Sequence, residues 1–383
     1  MGGFFVLISS FYFVINPCYF YSYTTFYKMK YTIFFLIFFL HFKIAFPQSR
    51  PAHTVILILE NRPYSSIVGN PLAPYINSLI SNSHAALFTK SYGLTHPSQP
   101  NYIMLYSGDP QGVTNNNVPA NLPFTTLNIG SELINKGLSF TGYSEDLPSV
   151  GSTVATYDLY VRKHNPWVNW QGTGTNSIPA SSNRPFSDFP SDFNLLPTLS
   201  FVVPNLDNDM HDGSITTGDT WVQDNLSAYI QWCVSHNSMF ILTFDEDDGS
   251  SYNHVLSLFI GSDIKKGSYN QSITHYNILR TIEELYGLPF AGKSADSSAI
   301  KGIFLSQQAI TYTFSGNGNW NNLTNWTGSL MPPLTTGQGS NIVVNHTAGG
   351  QCILNISYNV TSGTKLTVMP GKKLVINGKL TVK

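Results

Sequence analysis

Cysteine and charged side chains are both scarce in this sequence. Its 383 residues include 3 cysteines, Cys18, Cys233 and Cys352, too few for a disulfide framework or a zinc site built on thiolates. We expect Cys18 to be absent from the mature protein and the other two to be unpaired. Charged residues make up 11% of the chain, and the formal net charge is −1. This balance gives no reason to expect nucleic acid or an anionic membrane as a partner.

Motifs of several large enzyme classes are also missing. No Gly-x-Ser-x-Gly elbow surrounds a serine, so an α/β-hydrolase triad is weakly supported. The chain has neither the phosphate-binding loop of nucleoside triphosphatases nor the glycine fingerprint of dinucleotide-binding proteins. Any catalytic chemistry must therefore come from other residues.

Residues 1–50 are rich in Phe, Tyr, Ile and Leu and contain two apolar runs, one before Met29 and one after it. From Met29 a short basic start is followed by the apolar stretch Ile33–Leu40, which is typical of a signal peptide. We expect translation to start at Met29 and the mature protein to be secreted, extracellular or periplasmic. Two membrane anchors are the alternative, although each run is shorter than the roughly 20 residues that a span needs.

From Pro51 onwards, strand patterns alternate with helix patterns, which predicts an α/β domain over residues 51–304 with a central, mostly parallel sheet flanked by helices. The predicted strands are Thr54–Leu59, Ala85–Ser91, Ser139–Tyr143, Leu199–Val203, Ser238–Phe244 and Val255–Ile260. The predicted helices are Pro74–Ser81, Asn101–Tyr106, Leu127–Lys136, Asp219–Ser235 and His275–Tyr286.

The character of the sequence changes after a predicted linker at residues 305–311. No helical period is visible from Thr311 on, and residues 365–382 alternate like strands around Pro-Gly and Asn-Gly turns. We predict a small all-β module over residues 312–383, with stacked rungs as one candidate arrangement. The alternation stops at Lys383, so we expect the module to be truncated or its last strand to be unpaired.

Oxygen-bearing side chains follow two of the predicted strands. Glu60 and Asn61 end the first buried strand, and Asp245 and Glu246 end another. Functional groups of open α/β sheets gather at the carboxyl ends of strands, and such oxygen donors suit a hard cation. Solvated strand ends and a surface acidic turn are the alternatives.

Ser98 lies in T-H-P-S-Q-P-N-Y (95–102), between a predicted strand and a predicted helix. It is either a helix cap or a nucleophile at a helix N-terminus that attracts phosphate. Three histidines, His164, His211 and His275, lie near predicted strand ends. Each is either a structural hydrogen-bonding residue or part of a site.

Seven segments together resemble a known family. They are I-L-I-L-E-N-R (56–62), A-P-Y-I-N-S-L (73–79), T-H-P-S-Q-P-N-Y (95–102), R-K-H-N-P-W (162–167), P-N-L-D-N-D-M-H-D-G (204–213), F-D-E-D-D-G (244–249) and T-H-Y-N-I-L-R-T-I-E (274–283). In this order, over residues 52–290, they resemble the phosphoesterase family of acid phosphatases and bacterial non-specific phospholipases C. That family looks like a branch of the alkaline-phosphatase superfamily, which implies an alkaline-phosphatase-like sandwich.

The resemblance implies a metal-dependent phosphoesterase. Glu60 and Asn61 match the family's first pair of metal ligands, and Asp245 and Glu246 match its second pair. Ser98 matches the nucleophile, which would also contact the metal. Because all five groups donate oxygen, we expect Ca²⁺, Mg²⁺ or Mn²⁺ rather than zinc, although carboxylates also accept zinc. A full second metal site cannot be assigned from the sequence.

The resemblance also suggests roles for three further residues. His211 is the candidate general acid, while His164 and Asn101 are candidates for binding the phosphate. The form of the serine motif looks closer to the phosphatase branch, so we predict a secreted acid phosphatase acting on small phosphate monoesters through a phosphoserine. A phospholipase C-type phosphodiesterase is the enzymatic alternative.

A cell-surface binding protein is the alternative of another class. In that case the C-terminal module would contact glycans, with Trp320 and Trp326 stacked on sugars. Large aromatics also fill the cores of small β modules, so the same two side chains are equally expected inside it.

Overall fold

The computed structural model describes residues 50–305, 310–332, 340–360 and 364–382. The predicted signal segment, the start at Met29 and most of the predicted linker lie outside these residues. Within the described ranges, no helix has the length and hydropathy of a membrane span. The domain boundaries stay predictions.

A single large sheet organises the first domain. The strands of this domain are β1 His53–Leu59, β2 Ala85–Tyr92, β3 Phe140–Ser144, β4 Thr156–Tyr157, β5 Tyr160–Val161, β6 Asn183–Pro185, β7 Leu199–Val203, β8 Ser238–Phe244, β9 His254–Gly261, β10 Gly267–Tyr269 and β11 Ile273–Thr274, of which β4 and β5 form a separate hairpin. The other nine strands of the described chain form the sheet in the order β10-β2-β9-β8-β1-β7-β3-β6, with β11 also paired to β2. Strand β9 runs antiparallel to β8 and β2, and the other pairs are parallel.

Helices cover both faces of the sheet. They are α1 Tyr64–Ile67, α2 Pro74–Ile80, α3 Ser98–Ser107, α4 Ile129–Asn135, α5 Ile215–Cys233 and α6 His275–Tyr286. Short 3₁₀ turns lie at Arg162–His164, Pro166–Trp170, Ala180–Ser182, Phe186–Asp188, Phe193–Leu195 and Gly292–Ser294. Ile56 and Ile58 of β1 join one hydrophobic core, while Val55, Leu57 and Leu59 join the other. Burial of both faces explains why β1 is a continuous apolar run rather than an alternating one.

The predicted fold class, a mostly parallel sheet flanked by helices with a small all-β region after it, is confirmed. The largest differences between the predicted and observed elements are at the starts of two helices. Helix α5 begins at Ile215, not Asp219, because the Ser214 side chain accepts a hydrogen bond from Thr217 N. Helix α3 begins at Ser98, three residues before the predicted start.

The C-terminal module consists of stacked rungs, as the sequence suggested. Its strands are β12 Thr311–Phe314, β13 Gly318–Asn319, β14 Asn341–Val344, β15 Cys352–Leu354, β16 Ser357–Val360, β17 Lys365–Val368, β18 Leu374–Ile376 and β19 Lys379–Val382, with 3₁₀ turns at Leu323–Asn325 and Thr327–Ser329. They pair in parallel as β12-β14-β17, β13-β15-β18 and β16-β19, so each strand pairs with the rung before it and not with its chain neighbour.

Trp320 and Trp326 lie inside the module and not on its surface. Both are buried in its hydrophobic core with Phe314 and Tyr358, and Trp326 Nε1 donates a 2.7 Å hydrogen bond to Trp320 O. Neither ring offers a free face to a sugar. Cys352 is buried in the same core, and it and Cys233 are unpaired, as predicted.

Candidate active site

The two predicted ligand pairs meet at the carboxyl edge of the sheet. Strands β1 and β8 are parallel neighbours with Leu59 opposite Phe244, so the residues that follow them lie side by side. Asp245 N donates to Leu59 O at 3.0 Å, and Asn61 N donates to Asp245 Oδ1 at 3.2 Å. The strand-end pattern therefore brings together residues 185 positions apart, through strand register alone.

Ser98 joins both pairs. It is the first residue of α3 and is 1% exposed. Its Oγ lies 2.9 Å from Glu60 Oε2 and 3.2 Å from Glu246 Oε1. The Ser98 hydroxyl has one proton, which it can donate to only one of these carboxylates at a time. The contact between Ser98 Oγ and the other carboxylate oxygen then has no hydrogen between the two atoms. The candidate nucleophile is thus held between the two strand ends.

Three buried oxygen atoms of the predicted ligands have no hydrogen-bond donor. Glu60 Oε1, Asn61 Oδ1 and Asp245 Oδ2 are all buried without a hydrogen-bond partner. Burial, together with the nearby Asp209 charge, raises the pKa of Glu60 well above its usual range. Burial, then the charges of Glu60 and Glu246, does the same to the pKa of Asp245. Unpaired oxygens of this kind are costly in a protein interior unless a cation or a proton satisfies them, so these residues fit a divalent cation.

His164 connects Glu60 to Asp209, which lies in the loop after β7. It is fully buried, with Nδ1 3.1 Å from Asp209 Oδ2 and Nε2 3.1 Å from Glu60 Oε1. With Nδ1 as the donor to Asp209, the Nε2 lone pair faces Glu60 Oε1, and both of these atoms lack a hydrogen-bond partner. Burial and the positive charge of Lys163 lower the pKa of His164 well below its usual value, which keeps the ring neutral.

The contact between two acceptors, Glu60 Oε1 and His164 Nε2, is stable only with a cation or a proton between them. Glu60, His164 and Asp209 can offer ligand atoms within 4.8 Å of one another. Sequence reasoning put His164 at the substrate and missed Asp209. The missed signal was the acidic loop after β7, since β7 pairs directly with β1. Glu60 N also donates to Asp209 O at 2.8 Å, which fixes that loop against the strand end.

Asn101 lies one turn into α3, and the polar atoms of its side chain are engaged by protein groups. Its Oδ1 accepts hydrogen bonds from Leu94 N and Thr95 N at 2.9 and 3.1 Å. Its Nδ2 donates to Thr95 O at 2.7 Å and to Glu246 Oε2 at 3.1 Å. In this arrangement Asn101 fastens the loop before the nucleophile and orients a carboxylate.

His211 lies at the rim of the cluster, with its ring centroid 5.8 Å from that of His164. Its Nδ1 is 2.6 Å from Asp212 Oδ1, and its Nε2 is 3.3 Å from Lys163 Nζ. The loop that carries it is anchored by Arg62, whose Nη2 donates to Met210 O and Gly213 O at 2.8 and 3.0 Å.

Two further histidines contact the second ligand pair. His275, the first residue of α6, is buried with Nε2 2.6 Å from Asp245 O, and burial lowers its pKa to about 4. It therefore acts as a neutral donor to the strand end. His96 was not predicted; its Nδ1 is 2.9 Å from Glu246 Oε2 and its side chain is 46% exposed. Its position two residues before Ser98 was the available signal.

Asp247, which follows the second pair, does not face Ser98. Its carboxylate accepts hydrogen bonds from the backbone of Gly249, Ser251 and Asn253 at 2.7 to 2.8 Å. It therefore holds the loop that leads to β9. Asp245 and Glu246 therefore face the site, whereas Asp247 stabilises the loop behind it.

Comparison with known proteins finds a family model, named relatives and solved structures that are similar to this chain. The model of the Phosphoesterase family matches residues 72–289, which leaves Glu60 and Asn61 just outside the matched stretch. A phosphatidylinositol-3-phosphatase of Mycobacterium tuberculosis is 47% identical over 258 residues, 66% of this chain and 83% of that protein. A phosphate-repressible acid phosphatase of Penicillium chrysogenum is 34% identical over 54% of this chain, which spans about half (53%) of its length. Among solved structures, a protein in the alkaline phosphatase superfamily from Vibrio parahaemolyticus is 15% identical, with a TM-score of 0.47 over 66% of this chain and 71% of that one.

Proposed function

The chain belongs to the Phosphoesterase family, and on that premise we propose that it is a metal-dependent phosphomonoesterase with Ser98 as its nucleophile. Membership and the named relatives confirm the coarser prediction, a hydrolase of phosphoric esters. The observation that carries the finer proposal is the Ser98 hydroxyl, held 2.9 and 3.2 Å from carboxylates of two different strand ends.

The predicted ligands Glu60, Asn61, Ser98, Asp245 and Glu246 would hold the cation, and the unpaired oxygens among them support this role. His164 would add a nitrogen ligand that the sequence prediction did not include. When bound, the cation would favour the ionised serine and offset negative charge on the phosphoryl oxygens. Ca²⁺, Mg²⁺ and Mn²⁺ suit the oxygen donors, and a nitrogen ligand also suits Zn²⁺.

The side chains of the cluster supply the remaining steps. Ser98 Oγ gives its proton to Glu60 Oε2, its nearest acceptor, and attacks phosphorus in line. The bond from phosphorus to the leaving oxygen breaks, which leaves a phosphoserine. Water then attacks phosphorus and passes a proton to His211, which restores the general acid; the bond from phosphorus to Ser98 Oγ breaks, phosphate leaves, and Ser98 recovers its proton from Glu60. The N-terminus of α3, which begins at Ser98, would stabilise negative charge on the phosphoryl group.

His211 is the proposed proton donor to the leaving alcohol. The Asp212 carboxylate beside Nδ1 fixes the orientation of the ring. Because Nε2 faces the Lys163 ammonium, this nitrogen becomes available only when Lys163 turns to another acceptor. A His211→Asn variant would lose more rate on alkyl phosphates, which have poor leaving groups, than on nitrophenyl phosphate.

The test of the nucleophile is a Ser98→Ala variant assayed on an aryl phosphate. We expect at least about a 10³-fold loss of kcat/KM, in line with removal of a catalytic nucleophile. Ser235→Ala is the matched control, because Ser235 is exposed and its Oγ contacts only Trp232 O and His236 Nδ1 among the described residues, neither of which belongs to the site. Wild-type turnover by the Ser98 variant would remove this residue from the role.

Small phosphate monoesters are the proposed substrates, supported by relatives named as phosphatases. A relative named phosphatidylinositol-3-phosphatase, similar over 83% of its length, adds a polyol headgroup phosphate as a second candidate. Rates on an aryl phosphate, on phosphatidylinositol 3-phosphate and on phosphatidylcholine separate the three cases. Faster cleavage of phosphatidylcholine would favour the phosphodiesterase instead.

We also propose that translation starts at Met29 and that residues 29–50 direct secretion and are removed. The signal-like sequence after Met29 supports this. N-terminal sequencing of the protein recovered from the periplasm or medium should begin near Pro51, and retention of the apolar residues would contradict the proposal.

A further inference from the structure

Lys163 is a cation of the site whose purpose the sequence did not reveal. It lies in the 3₁₀ turn Arg162–His164, directly before the buried His164. Its Nζ contacts His211 Nε2 at 3.3 Å. Among the described residues, no carboxylate lies within ion-pair distance of it. The half-buried Lys163 ammonium thus lies at the edge of the acidic cluster without an anionic partner among the described residues.

A chain of hydrogen bonds sets the orientation of this ammonium. Asp212 Oδ1 lies 2.6 Å from His211 Nδ1, so Nδ1 carries the proton and Nε2 accepts from Lys163. The backbone of His211 is fixed in turn, because its N–H donates to Asp209 Oδ1 at 2.8 Å. An ammonium has three donors, and the described residues supply one acceptor, so two donors remain for a ligand.

The charge of Lys163 acts on the cluster that holds Ser98. It lowers the pKa of Glu60 and of Asp209 against the larger effect of burial, which raises both. Four carboxylates, those of Glu60, Asp209, Asp245 and Glu246, surround the site. A divalent cation offsets two of these charges, so an entering phosphate dianion would still meet net negative charge without a further cation.

We propose that the Lys163 ammonium is a phosphoryl-binding group of this site, held in place by His211 and Asp212. The inference rests on the proposed function, since it assigns a residue of the same pocket to the substrate's phosphate. In the resting site Lys163 donates to His211 Nε2. With phosphate bound, Lys163 turns from His211 Nε2 to the phosphoryl oxygens, which frees that nitrogen, and the charge-assisted hydrogen bonds hold the phosphoryl group against Ser98.

The test measures binding of inorganic phosphate to the metal-loaded protein by titration calorimetry. We expect Lys163→Met to raise the phosphate Kd roughly 10- to 100-fold, the usual loss for a charged hydrogen bond to an anion. Lys163→Arg should stay within about fivefold of wild type because it keeps the charge. Lys90→Met is the matched control, an exposed lysine on β2 that should leave the Kd unchanged.

A positioning variant adds an independent readout. Asp212→Asn leaves the ammonium in place but weakens its orientation, so the phosphate Kd should rise by less, roughly 3- to 10-fold. If Lys163 served only to neutralise buried carboxylates, Lys163→Met would lower the melting temperature while phosphate bound as before. A phosphate Kd within about twofold of wild type in folded Lys163→Met would overturn the proposal.

Folding and function are kept apart by two controls. Circular dichroism checks each variant, and Lys163→Gln replaces Lys163→Met if the latter does not fold. A wild-type protein that hydrolyses no phosphate ester and binds no phosphate refutes the proposed function and, with it, the role of Lys163. A wild-type protein that does both, beside a Lys163 variant that binds phosphate equally well, refutes the role of Lys163 alone.

Discussion

Asp209 Oδ2 lies 3.1 Å from His164 Nδ1, and this contact fixes which nitrogen of the buried histidine faces Glu60. Replacing Asp209 by Asn removes the carboxylate that selects this tautomer. We expect the affinity for the activating cation to fall roughly 10- to 100-fold, the usual effect of losing such a partner. A cation titration of phosphatase activity measures it.

The matched control for that prediction is Asp207→Asn. Asp207 lies in the same loop but is exposed, so its loss should leave the cation titration unchanged. Equal cation affinities in the two variants would show that Asp209 has no part in the cation site.

Removal of the cation should cost stability as well as activity. The unpaired oxygens of Glu60, Asn61 and Asp245 are satisfied only when the cation is bound, so ligand-free protein has buried acceptors without partners. A cation at about 100 times its Kd adds about 2.7 kcal/mol to the free energy of unfolding, and melting temperature should rise by several degrees. Differential scanning calorimetry with and without chelator tests this with Ca²⁺, Mg²⁺, Mn²⁺ and Zn²⁺ in turn. Identical melting curves under all conditions would leave the cation site without support.

A pair of buried carboxyls outside the site should make stability fall as pH rises. Burial, then the neighbouring Glu283, raises the pKa of Glu132 from 4.5 to about 8, and burial raises that of Glu283 to about 7. Between pH 4.5 and 8 the unfolded chain therefore releases protons that the folded chain retains, so the free energy of unfolding decreases with pH.

Glu132→Gln should flatten this dependence and stabilise the protein at pH 8 by roughly 1 to 3 kcal/mol, because both oxygens of Glu132 are buried without a donor. Urea unfolding at pH 5 and pH 8 measures the effect. Glu284→Gln is the control, an exposed residue paired with Arg280 on the surface of α6. A variant as pH-dependent as wild type would contradict the prediction.

Gly93 sits where a side chain has no room. A Cβ at this position would meet Asn253 Oδ1 at 2.6 Å and Asp245 O at 2.7 Å. Gly93→Ala should therefore displace the ligand strand end, lower the free energy of unfolding by about 1 to 3 kcal/mol and reduce cation affinity. Gly172→Ala is the control, since its nearest neighbour would be 3.6 Å away. Denaturant unfolding and cation titration of both variants decide the point.

The sequence predicted best what depends on strands. Glu60 and Asp245 follow long apolar runs, and parallel pairing of β1 with β8 places them together without help from loops. All six predicted strands of the sheet match within one residue at each end, and Leu199–Val203 and Ser238–Phe244 match completely. Such buried strands are easy to identify because nearly all of their residues are apolar.

What the sequence did not predict lies in irregular chain. His164 sits in a 3₁₀ turn, a structure too short to leave a period in the sequence. Asp209 reaches the site through a loop in which Met210 adopts a positive φ of 78°, a conformation uncommon for a residue with a side chain. Lys163 lies in the same 3₁₀ turn, and His96 lies in the loop between β2 and α3. The positions of both side chains therefore follow from tertiary packing and not from a local sequence pattern.

The stacked rungs of the C-terminal module make length a modular property. Asn341 pairs with Lys365 and Cys352 with Leu374, so each circuit of the chain rests on the previous one through contacts of the same kind. Such quasi-one-dimensional arrays gain or lose whole repeats while neighbouring repeats keep their contacts. A duplication or excision of one complete circuit is therefore the change in chain length that this architecture tolerates best.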